Sequence, residues 1–113
     1  MGTVDRKIEA RAAAAVKILS RQAVVRAAYI FGSHAEGTAD AWSDIDVAAF
    51  IVGLEHWDIR RRAQAMAIVM EEAGSDVEAH LFPASVVDNP PRGGFAEYVL
   101  RHGIPVLFGS AAS

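Results

Sequence analysis

The segment DIDVAAFIV, residues 44–52, constrains the fold more than any other part of the chain. The residues at odd positions, from Ile45 to Ile51, are all apolar. They alternate with an even set that begins with two aspartates and continues with apolar residues, and this period of two is typical of a β-strand. Asp44 and Asp46 open the even set, so their side chains point to the same face of the predicted strand. With a rise of about 3.3 Å per residue, the two side chains start about 6 to 7 Å apart. Carboxylates at this spacing can share metal ions, so the segment predicts both a strand and a metal site.

The segments on either side of this strand alternate between helical and extended patterns. Helical spacing of apolar residues predicts a first helix from Val4 to about Gln22 and a second one between His56 and Gly74. The apolar residues expected to form the buried stripe of the second helix are Ile59, Ala63, Met66 and Met70. The other expected elements are a strand 27–31, a loop or broken helical turn 33–43, a strand 75–82, a helix 95–102 and a short strand 104–108. This order predicts a small mixed α/β (α+β) fold with a sheet of three or four strands flanked by helices.

The length of 113 residues bears on the number of domains. With 52% hydrophobic and 22% charged residues, the chain has the balance of one globular domain, expected to cover residues 1–113. The sequence contains no cysteine, which excludes disulfides and thiolate metal sites and is compatible with a reducing cytoplasm, the expected location. A mean hydropathy of +0.20 suggests a buried interface in a homo- or hetero-oligomer, although a compact core explains it nearly as well.

Charge and hydropathy disfavour two classes of function. The chain has 11 basic and 14 acidic residues, and this net charge of −3 argues against a broad surface for nucleic acids. The longest uncharged apolar stretch, residues 47–54, is far shorter than the roughly 20 residues of a membrane-spanning helix. Charged residues between Asp5 and Arg11 interrupt the region where an export signal would be apolar. We therefore expect neither strong nucleic-acid binding nor a membrane-embedded protein.

A glycine-serine pair, Gly32-Ser33, follows the predicted strand 27–31. Glycine lets the backbone approach a phosphate closely, and turn amides together with the Ser33 hydroxyl can bind phosphate oxygens. Taken alone, such a pair is most often an ordinary turn, and Asp44 with Asp46 is a solvated strand end. Their joint occurrence, in this order and on a strand–loop–strand frame, predicts a magnesium–nucleotide site with Ser33 as the phosphate clamp.

A third carboxylate is expected from a neighbouring strand, because two aspartates rarely complete such a site. The segment SDVEAHLF offers Glu78, with Asp76 on the same face as the reserve candidate. Magnesium prefers carboxylates, phosphate oxygens and water, and two ions about 3.5 to 4 Å apart can stabilise the attacking and leaving oxygens. The predicted ligands of two Mg²⁺ ions, which are also the predicted catalytic residues, are Asp44, Asp46 and Glu78.

Together these residues carry a resemblance to a known family. The pattern consists of Gly32-Ser33, Gly37 and Ser43-Asp44-Ile45-Asp46. It resembles that of the polymerase-beta-type nucleotidyltransferase superfamily, and the short length is similar to its minimal branch. Members of that branch are commonly encoded beside a HEPN-domain protein as antitoxin and toxin. The resemblance covers nearly the whole chain, including EYVLRHGIPVLFG near its end, and implies a polymerase-beta-like fold.

The resemblance also implies roles for individual residues. Asp44 and Asp46 would bind both metal ions, and Glu78, where aspartate is commoner in the family, would help to activate the attacking hydroxyl. The residues implied to bind the nucleotide are Gly32, Ser33, Gly37 and Ser43. The implied reaction is transfer of AMP from ATP to a hydroxyl of a protein acceptor, a tyrosine of a HEPN toxin partner, so that the chain acts as an antitoxin.

Other functions stay open at this point. The chain is alternatively a non-catalytic nucleotide-binding antitoxin that neutralises its partner by contact. Antibiotic nucleotidylation is disfavoured, because such enzymes carry an extra domain for which this chain has no residues. The run 60–62 of three arginines is expected to cover a solvated helix face, and Trp42 either stacks on a base or anchors the loop. The histidines that lack metal-ligand spacing, and therefore predict no zinc site, are His34, His56, His80 and His102.

Overall fold

A four-stranded mixed β-sheet forms the centre of the computed structural model, which describes residues 5–107. The helices and strands within these residues are α1 Arg6–Leu19, β1 Val25–Phe31, α2 Ser33–Glu36, β2 Ile45–Ile51, α3 Ile59–Ala73, β3 Val77–Pro83, α4 Phe95–His102 and β4 Ile104–Pro105. Two 3₁₀ helices, Leu54–His56 and Ala84–Val87, precede α3 and follow β3. The predicted mixed α/β fold, with a sheet flanked by helices, is confirmed.

The strands lie in the order β3-β2-β1-β4. Strand β1 is antiparallel to both β2 and β4, whereas β2 is parallel to β3. Helix α3 connects the two parallel strands, because a parallel pair needs a long crossover that a tight turn cannot supply. Opposite Asp46 in the register lie Phe31 of β1 and Glu78 of β3. The last residue of β1 and the first residues of β2 and β3 therefore share one end of the sheet.

Strand β2 is buried on both faces, because helices cover the sheet on each side. Ile45 and Val47 belong to the larger core, which includes apolar residues of α1 and α3. On the opposite face, Phe50 belongs to a smaller cluster with Ala96 and Val99 of α4. Burial of apolar side chains on both faces fixes the register of this strand, since a slip of one residue would exchange its faces. The start of β2 is thereby held at the end of the sheet.

Helix α3 begins and ends at residues with strong local preferences. The Asp58 carboxylate accepts a hydrogen bond from the backbone amide of Arg61 at 2.8 Å, which satisfies a free donor of the first turn. Gly74, with a φ of +134°, follows the last helical residue, as predicted. The predicted start at His56 was too early, because residues 54–56 form a 3₁₀ turn before the Asp58 cap.

The predicted apolar stripe of α3 was largely wrong, since Met66 is the one of its four residues that packs against the larger core. Ile59 is 85% exposed and Met70 is also exposed, whereas the fully buried residues of the helix are Ala65 and Val69. Apolar residues lie on more than one side of this helix, so their spacing is compatible with two faces. The contacts of α3 with α1 and β3 decide between them, and they bury the face of Ala65 and Val69.

Other predicted boundaries shift by a few residues. Strand β2 begins at Ile45, so Asp44 lies directly before it rather than in it. Helix α1 ends at Leu19, and Val4, the predicted start, lies outside the described residues. Strand β4 pairs with β1 at two positions only, and Phe108, its predicted end, also lies outside the described residues. No helix within residues 5–107 is long and apolar enough to cross a membrane.

Candidate functional site

Asp46 and Glu78 lie side by side at the end of the sheet. They are directly paired in the parallel register of β2 and β3, so their side chains leave the sheet on the same face. Asp46 is half-buried and Glu78 is exposed. Two carboxylates of the predicted site are thus brought together by strand pairing, from positions far apart in the sequence.

His80 completes this group, which the sequence did not indicate. Its Nε2 atom lies 3.3 Å from Asp46 Oδ1 and 3.1 Å from Glu78 Oε1. One ligand atom from each of the three residues lies within 4.8 Å of the other two. Because His80 follows Glu78 by two residues on β3, it points to the same face of the sheet. The spacing of two residues between Glu78 and His80 is visible in the sequence. It indicates a shared site with Asp46 only once β3 is known to pair with β2.

The donor set of Asp46, Glu78 and His80 fits a divalent metal ion. Carboxylate oxygens bind Mg²⁺ and Mn²⁺, and an imidazole nitrogen is a common ligand of transition metals. Within the described part of the chain, no lysine or arginine forms an ion pair with Asp46 or Glu78. The two carboxylates therefore present negative charge that a cation can neutralise.

Aromatic rings hold the His80 imidazole in place. The Phe31 ring lies 4.9 Å from the imidazole centroid at an angle of 70°, and the Phe95 ring lies 6.4 Å away at 61°. Phe31 and Phe95 also contact each other edge to face, with centroids 5.2 Å apart. Such edge-to-face contacts restrict ring orientation. Residues of β1 and α4 thus position a side chain of β3.

Gly32 brings the backbone of the loop against the metal-ligand group, which consists of Asp46, Glu78 and His80. Its φ of +78° and ψ of −152° belong to a region that residues with a side chain rarely adopt. A β-carbon added to Gly32 would lie 2.6 Å from Asp46 Oδ2. The Gly32 carbonyl accepts hydrogen bonds from the amides of Ala35 and Glu36 at 3.1 and 3.0 Å, which starts the single turn of α2. The predicted glycine turn and the Asp46 carboxylate are therefore direct neighbours.

The similarity of this chain to known proteins agrees with that geometry. Residues 14–90, more than half of the chain, match the sequence model of the family described as Polymerase beta, Nucleotidyltransferase. The chain belongs to this nucleotidyltransferase family. The superfamily expected from the glycine-serine and aspartate pattern is confirmed, whereas the minimal branch and its HEPN partner stay predictions.

A solved structure shows that the nucleotidyltransferase fold extends over most of the chain. It is the 1.40 Å crystal structure of a proposed nucleotidyltransferase from Sulfolobus solfataricus. The two proteins align with a TM-score of 0.58 and 20% sequence identity, over 93% of this chain and 89% of the other. At this identity the likeness shows a shared fold. No curated protein has significant sequence similarity to this chain.

Ser33 and Gly37 bound the short helix α2. Ser33 is its first residue and is half-buried, and the Ser33 carbonyl accepts hydrogen bonds from the backbone amides of Gly37 and Thr38. Gly37, with a φ of +81°, is exposed and ends the helix. Its positive φ lets the chain turn away after one helical turn. The predicted broken helical turn is confirmed, with the Ser33 side chain one residue from Gly32.

Ser43 closes a turn directly before Asp44, and Asp44 does not belong to the metal-ligand group. The Ser43 hydroxyl accepts a hydrogen bond from the Asp40 amide at 3.0 Å and donates one to Asp40 Oδ1 at 3.2 Å, which closes a tight turn. Trp42 projects from this turn with 91% of its surface exposed. Asp44 is exposed and does not join Asp46, Glu78 and His80 within 4.8 Å. The structure thus does not bring Asp44 together with the other two predicted metal ligands.

Asp76, the reserve candidate, is engaged elsewhere in the nucleotidyltransferase domain. Its carboxylate forms a two-pronged ion pair with the Arg11 guanidinium of α1. Hydrogen bonding from Arg11 lowers the pKa of the Asp76 carboxyl below its ordinary value. Arg11 also donates hydrogen bonds to the Ala73 carbonyl at the end of α3. Asp76 therefore ties β3 to α1 instead of joining the metal-ligand group.

Further side-chain contacts involve Tyr98 and the start of α3. The Tyr98 hydroxyl of α4 donates a hydrogen bond to Glu36 Oε2 of α2 at 2.8 Å, and this bond raises the pKa of Tyr98. In the predicted solvated arginine run, Arg61 and Arg62 have contacts with the turn before α3. The Arg61 guanidinium lies 4.0 Å from the Trp57 ring centroid, and Arg62 donates to the Leu54 carbonyl at 3.1 Å. Tyr98 thus links α4 to α2, the helical turn that follows Gly32.

Proposed function

We propose that this chain transfers a nucleoside monophosphate, most simply AMP from ATP, to a hydroxyl group of a protein acceptor. The observation that carries the proposal is the meeting of the Gly32 turn with the Asp46 and Glu78 carboxylates at one end of the sheet. A backbone turn open to phosphate, placed beside two carboxylates, combines the two groups that a metal–triphosphate needs. Membership of the nucleotidyltransferase family supports the same reaction class.

In the proposed reaction, the acceptor oxygen forms a bond to the α-phosphorus of ATP. The bond between that phosphorus and the oxygen bridging to the β-phosphate breaks, and pyrophosphate leaves. The hydroxyl proton passes to the Glu78 carboxylate and then to solvent. Bound Mg²⁺ ions would neutralise the charge that develops on the attacking and leaving oxygens. The chain itself contributes mainly positioning, which is the dominant requirement of phosphoryl and nucleotidyl transfer.

Each site residue has a defined part in this proposal. Asp46 and Glu78 hold the metal from adjacent strands, and Asp44, exposed directly before β2, joins them when the metal–nucleotide is bound. Ser33 and the amides that follow Gly32 hold the phosphate tail. Gly37 and Ser43 shape the loop between them, since one ends α2 and the other closes the turn at Asp40.

We further propose that the acceptor is a tyrosine of a HEPN-domain toxin and that the chain is its antitoxin in the cytoplasm. This part is supported by the resemblance of the sequence to the minimal nucleotidyltransferase branch, including the closing segment EYVLRHGIPVLFG. An exposed Trp42 on the loop beside the site offers a contact for a protein acceptor, because tryptophan is frequent at the centres of protein interfaces.

Mass spectrometry tests the proposal directly. The chain is incubated with ATP, Mg²⁺ and a HEPN-domain protein as the proposed acceptor, and this acceptor is expected to gain the mass of one AMP group on a tyrosine. Asp46→Asn should abolish this adduct. Glu55→Gln is the matched control, because Glu55 is exposed in the 3₁₀ helix before α3 and lies outside the metal-ligand group. An unmodified partner with the wild-type chain would overturn the proposal.

One observation favours a second candidate function. Asp44 lies outside the group of Asp46, Glu78 and His80, which is an incomplete form of the predicted metal site. A chain with such a site can neutralise its partner by contact alone. In that case the wild-type chain inhibits the toxin without ATP, and Asp46→Asn inhibits it equally well. Inhibition that requires ATP and Asp46 would exclude this candidate.

A further inference from the structure

We propose that His80 supplies a nitrogen ligand to the cation of this site, so that the site prefers a transition metal such as Mn²⁺ to Mg²⁺. This inference deepens the proposed function and rests on its metal site. It concerns the metal bound by the chain itself, before any nucleotide or acceptor is present. It can therefore be tested separately from the transfer reaction.

The distances around His80 Nε2 match those between neighbouring ligands of one cation. Ligand atoms about 2.1 Å from a cation lie about 3.0 Å apart at a right angle and about 3.4 Å apart at the tetrahedral angle. The observed separations of Nε2 from Glu78 Oε1 and Asp46 Oδ1 are 3.1 and 3.3 Å. Both separations from Nε2 are thus those of neighbouring ligands of a single ion, and the two carboxylates each place an oxygen within 4.8 Å of the other.

Hydrogen bonding alone accounts poorly for this arrangement. An imidazole Nε2 carries at most one proton, yet carboxylate oxygens from two different strands approach it. One proton cannot be shared well between two acceptors whose negative charges repel each other. Within residues 5–107, Asp46 and Glu78 also have no ion pair with lysine or arginine. A divalent cation bound by all three groups would neutralise both carboxylates at once.

The surroundings of His80 favour a fixed ligand over a mobile surface side chain. The Phe31 and Phe95 rings, which also contact each other, pack edge to face against one side of the imidazole. Its side chain is 30% exposed and that of Asp46 is 25% exposed, so the group is partly shielded but open on one side. Ligands held in place by packing lose little freedom when the metal binds. The open side leaves room for water or phosphate oxygens as the remaining ligands.

The nature of the nitrogen ligand determines the metal preference. Mg²⁺ prefers an all-oxygen environment and keeps several water molecules, whereas an imidazole nitrogen is a ligand of transition metals such as Zn²⁺, Fe²⁺ and Ni²⁺. Mn²⁺ is a transition metal that also accepts carboxylate ligands, so it suits the mixed donor set of this site better than Mg²⁺ does. Replacing one oxygen ligand by His80 therefore shifts selectivity away from Mg²⁺. We expect Mn²⁺ to bind the nucleotide-free chain at least about tenfold more tightly than Mg²⁺.

Pulsed electron paramagnetic resonance of the full chain with Mn²⁺ alone tests this inference. The expected result is a nitrogen hyperfine coupling to Mn²⁺ that changes when the protein is labelled with ¹⁵N-histidine. His80→Gln should remove the coupling and weaken Mn²⁺ binding by at least about tenfold. His56→Gln, which replaces an exposed histidine of the 3₁₀ helix before α3, should retain both. The wild-type spectrum tests the ligand even if His80→Gln folds poorly.

The outcomes separate this inference from the proposed function. Bound Mn²⁺ without a histidine coupling, or no Mn²⁺ binding at all, would overturn the role of His80. A histidine coupling together with an unmodified protein partner would leave the role of His80 standing and count against the proposed transfer. Equal affinities for Mn²⁺ and Mg²⁺ would overturn the proposed selectivity.

Discussion

The α-carbon of Gly32 lies so close to the Asp46 carboxylate that an added β-carbon would stand 2.6 Å from Asp46 Oδ2. Gly32 directly follows β1 and Asp46 is the second residue of β2, and the register places Asp46 opposite Phe31, the neighbour of Gly32. A side chain at position 32 would therefore displace the carboxylate. The Asp46 carboxylate can keep its place in the metal-ligand group only because residue 32 has no β-carbon.

Gly32→Ala should damage the site more than its backbone strain explains. The positive φ alone costs about 1 to 3 kcal/mol of stability, and displacement of Asp46 should lower divalent-metal affinity at least about tenfold. Gly53→Ala is the matched control, since Gly53 has a φ of +81° and free space around its α-carbon. It should lose about 1 to 2 kcal/mol in urea unfolding, the cost of the left-handed helical region, and keep its metal affinity in calorimetric titration. Equal metal binding by both variants would contradict this explanation.

Asp44 and Asp46 should differ in their effect on metal binding without nucleotide. Asp46→Asn should weaken binding of a divalent cation at least about tenfold, because Asp46 belongs to the group with Glu78 and His80. Asp44→Asn should change it less than about threefold, because its carboxylate lies outside that group. With ATP present, both variants should lose AMP transfer. Calorimetric titration measures the first effect and mass spectrometry the second; a loss of nucleotide-free binding in Asp44→Asn would contradict the structure-based distinction.

Tyr98→Phe should loosen the glycine turn, because the Tyr98 hydroxyl holds Glu36 at the end of α2. We expect faster hydrogen exchange at residues 33–38 and ATP binding weakened by about three- to tenfold. The hydrogen bond raises the pKa of Tyr98, so its stabilising effect is full below the ordinary tyrosine pKa of about 10 and is lost as pH rises through the raised value. The difference in stability between Tyr98→Phe and the wild type should vanish at a pH above the raised pKa. Tyr29→Phe removes a hydroxyl from β1 and serves as the control.

Asp76→Asn should reduce stability at neutral pH by about 0.5 to 1 kcal/mol, a figure discounted because both partners are partly exposed. Arg11 lowers the folded-state pKa of Asp76, so the stabilisation is present above the unfolded value of about 3.9 and is lost as pH falls through the folded value. Urea unfolding of both proteins at pH 7 and in strong acid should show the difference disappear. Arg11→Gln should cost more, since Arg11 also binds the Ala73 carbonyl. A penalty that persists in acid would exclude the ion pair as its cause.

Local patterns predicted most of the elements of the fold. Helix α4 has the bounds that its sequence suggested, and the period of two from residue 44 onward identified β2 to within one residue at each end. These features follow from short-range rules of backbone geometry and capping. The buried face of α3 did not follow from them, because its apolar residues are compatible with two faces and contacts with α1 and β3 choose between these.

The metal-ligand group likewise depends partly on local sequence and partly on tertiary contacts. The sequence by itself determined the glycine turn, the strand that carries Asp46 and the membership of the nucleotidyltransferase family, because these depend on residues close together in the chain. Only the tertiary structure decided which side chains meet. Pairing of β2 with β3 places Glu78 and His80 beside Asp46, although His80 is 34 residues away in sequence. It also leaves Asp44 outside the group and binds Asp76 to Arg11, since strand register and helix packing set distances that local spacing does not contain.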